Sequence, residues 1–268
     1  MDSSRLKNIA ILILLALNLC FLAIIGLNRY EAGRAGQEEK RELAELFASA
    51  GIGVEAEQLP EAENPRLLLL SRDTEAEKKL AESLLGEAEQ TDQGGNIYLY
   101  ESERGRALFR GSGEFELYLS RLDGAEDPER AARSLLREMG VETVGKAEAT
   151  EEAGVKGLSF RCAWEGKEIL NASVRLSLYP DGSALVTGRR INGQVLPDPA
   201  AAGLGSYTVL LSFLEAVRSG GLVCSRVERV DRCWLMTASS TGNGLSPVWC
   251  VVTDGGEYRL DGVSGSIL

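Results

Sequence analysis

Residues 9–27 read IAILILLALNLCFLAIIGL, nineteen positions with no charge and one strongly polar side chain, Asn18. At about 1.5 Å rise per residue, a helix of that length reaches about 28 Å, close to the thickness of a bilayer's hydrocarbon core. The run exits into Asn28-Arg29-Tyr30-Glu31 without a small-x-small cleavage site, so it reads as an uncleaved anchor rather than a signal peptide. Arg5 and Lys7 precede it, and Arg29, Arg34, Lys40 and Arg41 follow it, so flanking charge alone does not orient it. Eight residues precede the run, and long domains cross a membrane largely regardless of charge. The expectation is a short cytoplasmic N-terminus, one span and an exported C-terminal body.

An amide within the bilayer gains about 1–2 kcal/mol from a partner on a neighbouring helix. Asn18, with Leu14, Leu22 and Ile25 on the same helical face, is therefore the candidate partner-binding surface of the span. An Asn bonded to its own backbone is the alternative. Ala16, Cys20 and Ala23 form a small-residue stripe on another face.

The chain carries −11 overall; its first thirty residues carry +2, which leaves −13 for residues 31–268. A body of that charge does not attract nucleic acid or an anionic lipid surface. It contains no histidine. Ser-His-Asp and Cys-His catalysis are excluded, as are histidine-ligated metals. Ser4-x-x-Lys7 lies beside the span as flanking polar residues. Gly111-Ser112-Gly113 and Gly242-Asn243-Gly244 lack the Lys-Ser/Thr of a phosphate loop and read as hairpin turns. Among 40 acidic residues, carboxylate pairs arise by coincidence, and Glu38, Glu39, Glu42 and Glu45 read as a solvated helix face. The expectation is a protein that is not an enzyme and takes no cofactor or metal. An unrecognised carboxylate enzyme is the weaker alternative.

Cys20 lies in the span, and Cys162, Cys224, Cys233 and Cys250 lie in the body, with no Cys-x-x-Cys. A zinc knuckle or thioredoxin-type site is not expected. Cys233 and Cys250 fall on strands that can form one hairpin, which leaves a disulfide open; buried free thiols are the favoured alternative.

Helix signals recur along the body. Residues 37–50 place Leu43, Leu46, Phe47 and Ala50 on a stripe that stops at Gly51. Thr74-x-x-Glu77 is a capping-box pattern ahead of Leu80, Ala81 and Leu84, ending at Gly86. Asp127-Pro128 opens a helix with Ala132, Leu135, Leu136 and Met139 inward. Ser206 opens the last, with Tyr207, Leu210, Leu211, Leu214 and Val217 inward. After the last three helices come alternating strands: near 96–101, 105–111 and 114–121, then 158–164 and 172–178, then 222–238, 247–253 and 256–262. The charged, Gly-punctuated stretch 141–155 reads as a loop, and Gln194–Pro199 as a linker. The fold class expected is α+β: a transmembrane helix, then tandem cystatin- or PepSY-like units, each a helix laid on an antiparallel sheet. The expected boundaries are 1–30 for the stub and anchor, 31–124 for a first domain, and 125–268 for a second. That second domain holds two units, 125–194 and 204–268.

The C-terminal residues carry a resemblance. Val227-x-x-Val230-x-x-Cys233-Trp234 is followed by Leu245-Ser246-Pro247-Val248-Trp249-Cys250, and then by Tyr258-x-x-Asp261-x-x-Ser264-Gly265. This resembles the last repeat of YycH/YycI-type regulatory proteins and PepSY-like domains, in which a Pro-x-Trp strand precedes a Tyr-x-x-Asp-x-x-Thr-Gly hairpin. The likeness covers the anchor and residues 205–268 well, 127–192 loosely and 31–122 hardly at all. Cys233, Gly262 and Ser264 depart from the family pattern. The resemblance implies a single-pass, extracytoplasmic, non-enzymatic protein of Gram-positive type. It would associate with the sensor histidine kinase of a cell-envelope two-component system, and with a sister regulatory membrane protein. A PepSY-type module that inhibits or chaperones an exported protease, or binds a cell-wall ligand, is the alternative. Trp234, Pro247, Trp249, Tyr258, Asp261 and Gly265 are the motif residues, with sheet packing their expected role.

Overall fold

A computed structural model describes residues 36–239 and 242–268. The apolar run 9–27, with Leu14, Asn18, Leu22 and Ile25, lies outside the described residues. The described chain forms two compact units. One comprises residues 36–63 with Leu214–Val230 and Val252–Gly256; the other comprises Asn64–Phe213 with Asp231–Val251 and Glu257–Leu268.

The smaller unit opens with helix α1 over 36–49. Leu43 and Phe47 of its apolar stripe are buried, and Leu46 is exposed. Past the helix, Gly53 makes a parallel bridge with Arg226, and the Val227 N–H donates to the Gly53 carbonyl at 2.9 Å. Lys40 Nζ reaches Glu61 Oε1 at 2.6 Å.

The larger unit begins with β1 (Arg66–Arg72), α2 (Thr74–Leu85) and strands β2 (Glu89–Gly94), β3 (Ile97–Ser102), β4 (Gly105–Arg110) and β5 (Glu114–Leu119). Helix α3 (Pro128–Glu138) and strands β6 (Glu142–Glu152), β7 (Val155–Trp164), β8 (Lys167–Leu178), β9 (Ala184–Arg189) and β10 (Gly193–Ala202) follow. Helix α4 (Ser206–Arg218) and strands β11 (Val227–Ser239), β12 (Gly242–Thr253) and β13 (Gly256–Asp261) contribute to both units.

Local signals account for the helices. Asp73 caps α2, its carboxylate accepting the Ala76 N–H at 2.9 Å, so the cap lies one residue before the Thr74 of the expected box. Asp127 caps α3 in the same way through the Arg130 N–H, with Pro128 in the first turn. On α4 the fully buried residues are Val209, Leu210 and Phe213, while Leu211 is exposed. The inward face is thus turned about one position from the expected one.

The strands join in the order β10-β1-β12-β11-β8-β9-β5-β4-β3-β2, with β13 on β12 and β7 linking β6 to β8. Strand β8 is long enough to pair β9 from Val174↔Gly188 to Leu178↔Ala184 and to meet β11 in parallel at Ile169↔Trp234. Helices α2 and α3 share one core with the sheet: Ala81 and Leu85, Ala132 and Leu136, Phe109, Leu117, Val174 and Val186 are all buried in it. Alternation places them there; in β5, Phe115, Leu117 and Leu119 are buried while Glu114 and Tyr118 are exposed. Each such fully buried Leu or Phe contributes about 1.5–3 kcal/mol.

This architecture corrects the tandem-unit expectation. Strand β5 pairs β9 from Glu114↔Arg189 to Leu119↔Ala184, and β1 lies between β10 and β12. The strands form one mixed sheet, in which strand outweighs helix by about two to one. Hairpins read as separate units have open edges, and unpaired backbone groups along an edge are satisfied by another strand. Gln194–Pro199, expected as a linker, lies in β10, whose two prolines fit a strand at the sheet edge where N–H groups need no partner. The expected loop 141–155 is largely β6.

The membrane-spanning, single-pass expectation finds no counterpart in the described residues, which begin at residue 36. Among the described residues no helix is long and apolar enough to cross a membrane.

Candidate functional site

In the larger unit, a cavity of about 420 Å³ opens between the start of α2, the α3–β6 junction, the end of β7 and the β9–β10 connection. Met139, Val141, Trp164, Ile169 and Ile191 supply an apolar wall, and Arg190, Asp73, Glu77 and Glu142 supply charge. The backbone fixes this geometry. The Asp73 N–H donates to the Asn192 carbonyl at 3.1 Å, tying the first turn of α2 to β10. Asn192 is buried and donates through Nδ2 to the Gly111 carbonyl at 3.2 Å; Asn243 donates to the same carbonyl at 2.6 Å. At Gly193 the strands come so close that a side chain would strike the Ser71 carbonyl.

Behind the wall lies a buried ion pair. Arg72 clasps Glu77 bidentately, Nη2 to Oε2 at 2.7 Å and Nε to both oxygens at 3.0 and 3.1 Å, with Glu77 only 2% exposed. Arg72 also donates to Asn96 Oδ1 at 2.7 Å and stacks 5.1 Å from the Tyr98 ring centroid. Burial raises the nearby Tyr100 hydroxyl above its usual value, and Glu77 adds to the effect.

Arg190 is the second guanidinium. It sits 5.2 Å from the Phe109 ring centroid, and its Nη1 makes only long contacts, 3.4 Å to the Ile191 carbonyl and 3.5 Å to that of Met139. Its Nε is buried without a hydrogen-bond partner. Burial pulls its pKa below the usual guanidinium range; Glu77 opposes this and Arg72 reinforces it. Arg190 still carries its charge near neutral pH. One carboxylate, Glu77, thus faces two guanidiniums. The remaining acids are engaged with backbone: Asp73 caps α2, and Glu142 accepts the Gly166 N–H at 2.7 Å.

Burial pushes the Cys162 thiol up to about 12, and its Sγ donates to the Arg189 carbonyl at 3.5 Å. A thiol so protonated is no nucleophile at neutral pH. The cavity offers an apolar wall, an under-satisfied guanidinium and an acidic rim. Among the described residues, no group of three or more Cys, Asp or Glu side chains is placed to hold a metal ion.

The C-terminal motif residues are gathered elsewhere. Trp249 and Trp234 are buried, 1% and 3% exposed, and neither indole N–H has a hydrogen-bond partner. The Tyr258 ring packs 5.7 Å from that of Phe213. The Pro247 carbonyl accepts the Gly262 N–H at 2.8 Å, and the Asp261 carboxylate accepts the N–H groups of Val263 and Ser264 at 2.7 and 2.8 Å. Gly265 turns the chain at φ +74°, where a Cβ would sit 2.9 Å from Ser212 Oγ. Pro247, Asp261 and Gly265 are therefore held together through backbone, while the aromatic residues pack into the sheet. None of them lines the cavity.

Sequence reasoning passed over Arg190 and read Glu77 as part of a capping box, though both left a trace. Glu77 stands four residues before Ala81 and eight before Leu85, on the buried stripe of α2. Arg190 is in phase with Ala184, Val186 and Gly188, the inward positions of β9. A charge in step with a buried stripe marks either a buried ion pair or a site.

No protein-family model matches the chain, and no curated protein matches it. Among solved structures it is similar to the Bacillus megaterium YpeB C-terminal domain, at 12% identity and a TM-score of 0.35, over 74% of this chain and 96% of that one. So slight a likeness assigns neither a fold family nor an activity. It does not reach the YycH/YycI specificity expected from the motif.

Proposed function

We propose that this chain is a non-enzymatic binding protein that regulates a sensor histidine kinase of a cell-envelope two-component system. The cavity beside α2 receives a segment of its partner. The observation that carries this reading is the cavity's chemistry: Arg190 presents an Nε without a partner beside an apolar wall, while the one thiol lining it is held protonated. The inserted segment carries an apolar side chain, which packs against Trp164, Met139 and Ile191, and a carbonyl or carboxylate, which accepts from Arg190. Regulation follows if the kinase offers that segment in one signalling state and withholds it in the other, since a binding protein shifts an equilibrium only by its differential affinity. With −11 net charge the chain is no nucleic-acid binder.

The second reading, an inhibitor or chaperone of an exported protease or a wall-ligand receptor, uses the same cavity with a different occupant. Crosslinking pull-down of the full-length chain from native cells, with partners identified by mass spectrometry, separates the two. The regulator reading predicts a sensor histidine kinase, and predicts its loss with Arg190→Gln. A protease or wall enzyme in its place favours the second reading.

A further inference from the structure

Cys233 and Cys250 lie on neighbouring strands, β11 and β12, with their sulfurs 3.0 Å apart. Both are free thiols, and both are buried, 7% and 5% exposed, in a small apolar cluster with Val248, Leu170 and Leu235. A disulfide has its sulfurs about 2.05 Å apart, so closing this gap needs a movement of about 1 Å. Rotation of the two side chains about their Cα–Cβ bonds moves the sulfurs by that much. The other described thiols have different neighbours: Cys162 bonds the Arg189 carbonyl, and Cys224 lies beside Thr253 and Asp254.

We propose that Cys233 and Cys250 are a disulfide site, whose oxidation staples β11 to β12 and fixes the strand that carries Pro247 and Trp249. A low-molecular-weight disulfide such as oxidised glutathione is a sufficient oxidant. The Cys233 thiolate attacks one glutathione sulfur and expels a glutathione thiolate. Deprotonated Cys250 then attacks Cys233 Sγ of the mixed disulfide and expels the second glutathione. Two cysteine thiols lose two protons and two electrons, and one glutathione disulfide becomes two glutathione thiols. Because the pair is buried in the folded chain, the first exchange belongs to folding, before β11 and β12 close. Once formed, the bond is shielded from reductant in the native state.

The test is refolding of the full-length chain with oxidised or reduced glutathione, then alkylation under denaturing conditions and peptide mapping. The tryptic peptide 233–259 carries both cysteines. After oxidising refolding it is expected unalkylated and two hydrogens lighter, while Cys162 and Cys224 are alkylated. The proposal fails if Cys233 and Cys250 are alkylated as fully as Cys162, or are found joined at random to the other cysteines. This reading uses the unmodified chain and does not depend on any variant folding. In urea, the oxidised chain is expected to unfold at a higher midpoint than the reduced one, a difference that Cys250→Ala abolishes. Equal midpoints with the bond formed would overturn the stapling role.

Discussion

The α2 side of the sheet and the turn after β13 both concentrate polar chemistry, but to different ends. At α2, Glu77 and two guanidiniums lie at a cavity, and Arg190 Nε has no hydrogen-bond partner. At the β13 turn, every oxygen that matters is satisfied by backbone: Asp261 takes the N–H groups of Val263 and Ser264, and Pro247 takes that of Gly262. A polar group that closes its own turn has no capacity left for a ligand, whereas one buried beside open space retains it. The C-terminal motif residues thus build the sheet and its turn, and side chains outside them build the cavity.

Substitutions that treat the two regions differently test this contrast. The largest effect is expected at Glu77. Glu77→Ala leaves Arg72 and Arg190 without a counter-charge and costs about 3–5 kcal/mol of stability, read from urea unfolding. The double change Arg72→Met with Glu77→Leu restores the part of that loss due to Arg72, because it removes that charge along with the pair, while Arg190 stays without its counter-charge. Trp249→Ala, in the motif region, leaves a void in the sheet and costs about 3–5 kcal/mol by the same measurement. It leaves partner affinity per folded molecule unchanged.

Gly265→Ala is expected to cost about 1–2 kcal/mol, because its positive φ disfavours any side chain and the new Cβ presses on Ser212 Oγ. Thermal unfolding reads this as a lowered Tm with binding intact.

The smallest effect concerns Asp254 in the smaller unit. Its carboxylate accepts the N–H groups of Ser225 and Arg226 and the Ser225 hydroxyl, and these bonds hold its pKa down to about 2. A carboxyl depressed by folding stabilises above its unfolded pKa of about 3.9, and that contribution is lost as pH falls toward about 2. The difference in urea midpoint between the native chain and Asp254→Ala is therefore expected near neutral pH and should shrink as pH falls from about 4 through about 2.

Elements closed by local chemistry were legible in the sequence. Asp127-Pro128 opened α3, Gly86 ended α2, and the alternation of Phe115, Leu117 and Leu119 marked β5. Pairing between distant strands was not. Nothing in Leu68-Leu69-Leu70 announces that β1 runs between β10 and β12, since period-two patterning sets the buried face and is silent about the neighbour. The prolines of β10 suggested a linker because their tolerance at a sheet edge depends on a sheet not yet assembled. The cavity was illegible for the same reason: Asp73, Arg190 and Trp164 meet only when α2, β7 and the β9–β10 connection converge. Glu77 was misread because Thr74-x-x-Glu77 fits a capping box as well as it fits a buried ion pair.

The assignment of binding to Arg190 and its cavity is decided by titrating the purified full-length chain into the purified sensor region of the kinase that the pull-down recovers. The titration is followed by calorimetry, with Arg190→Gln and Trp164→Ala compared with the native chain at equal folded fraction. Saturable binding by the native chain, weakened about tenfold or more in both variants, is the predicted result; a tenfold change is about 1.4 kcal/mol. Binding of equal strength by all three chains would place the contact elsewhere and contradict the assignment.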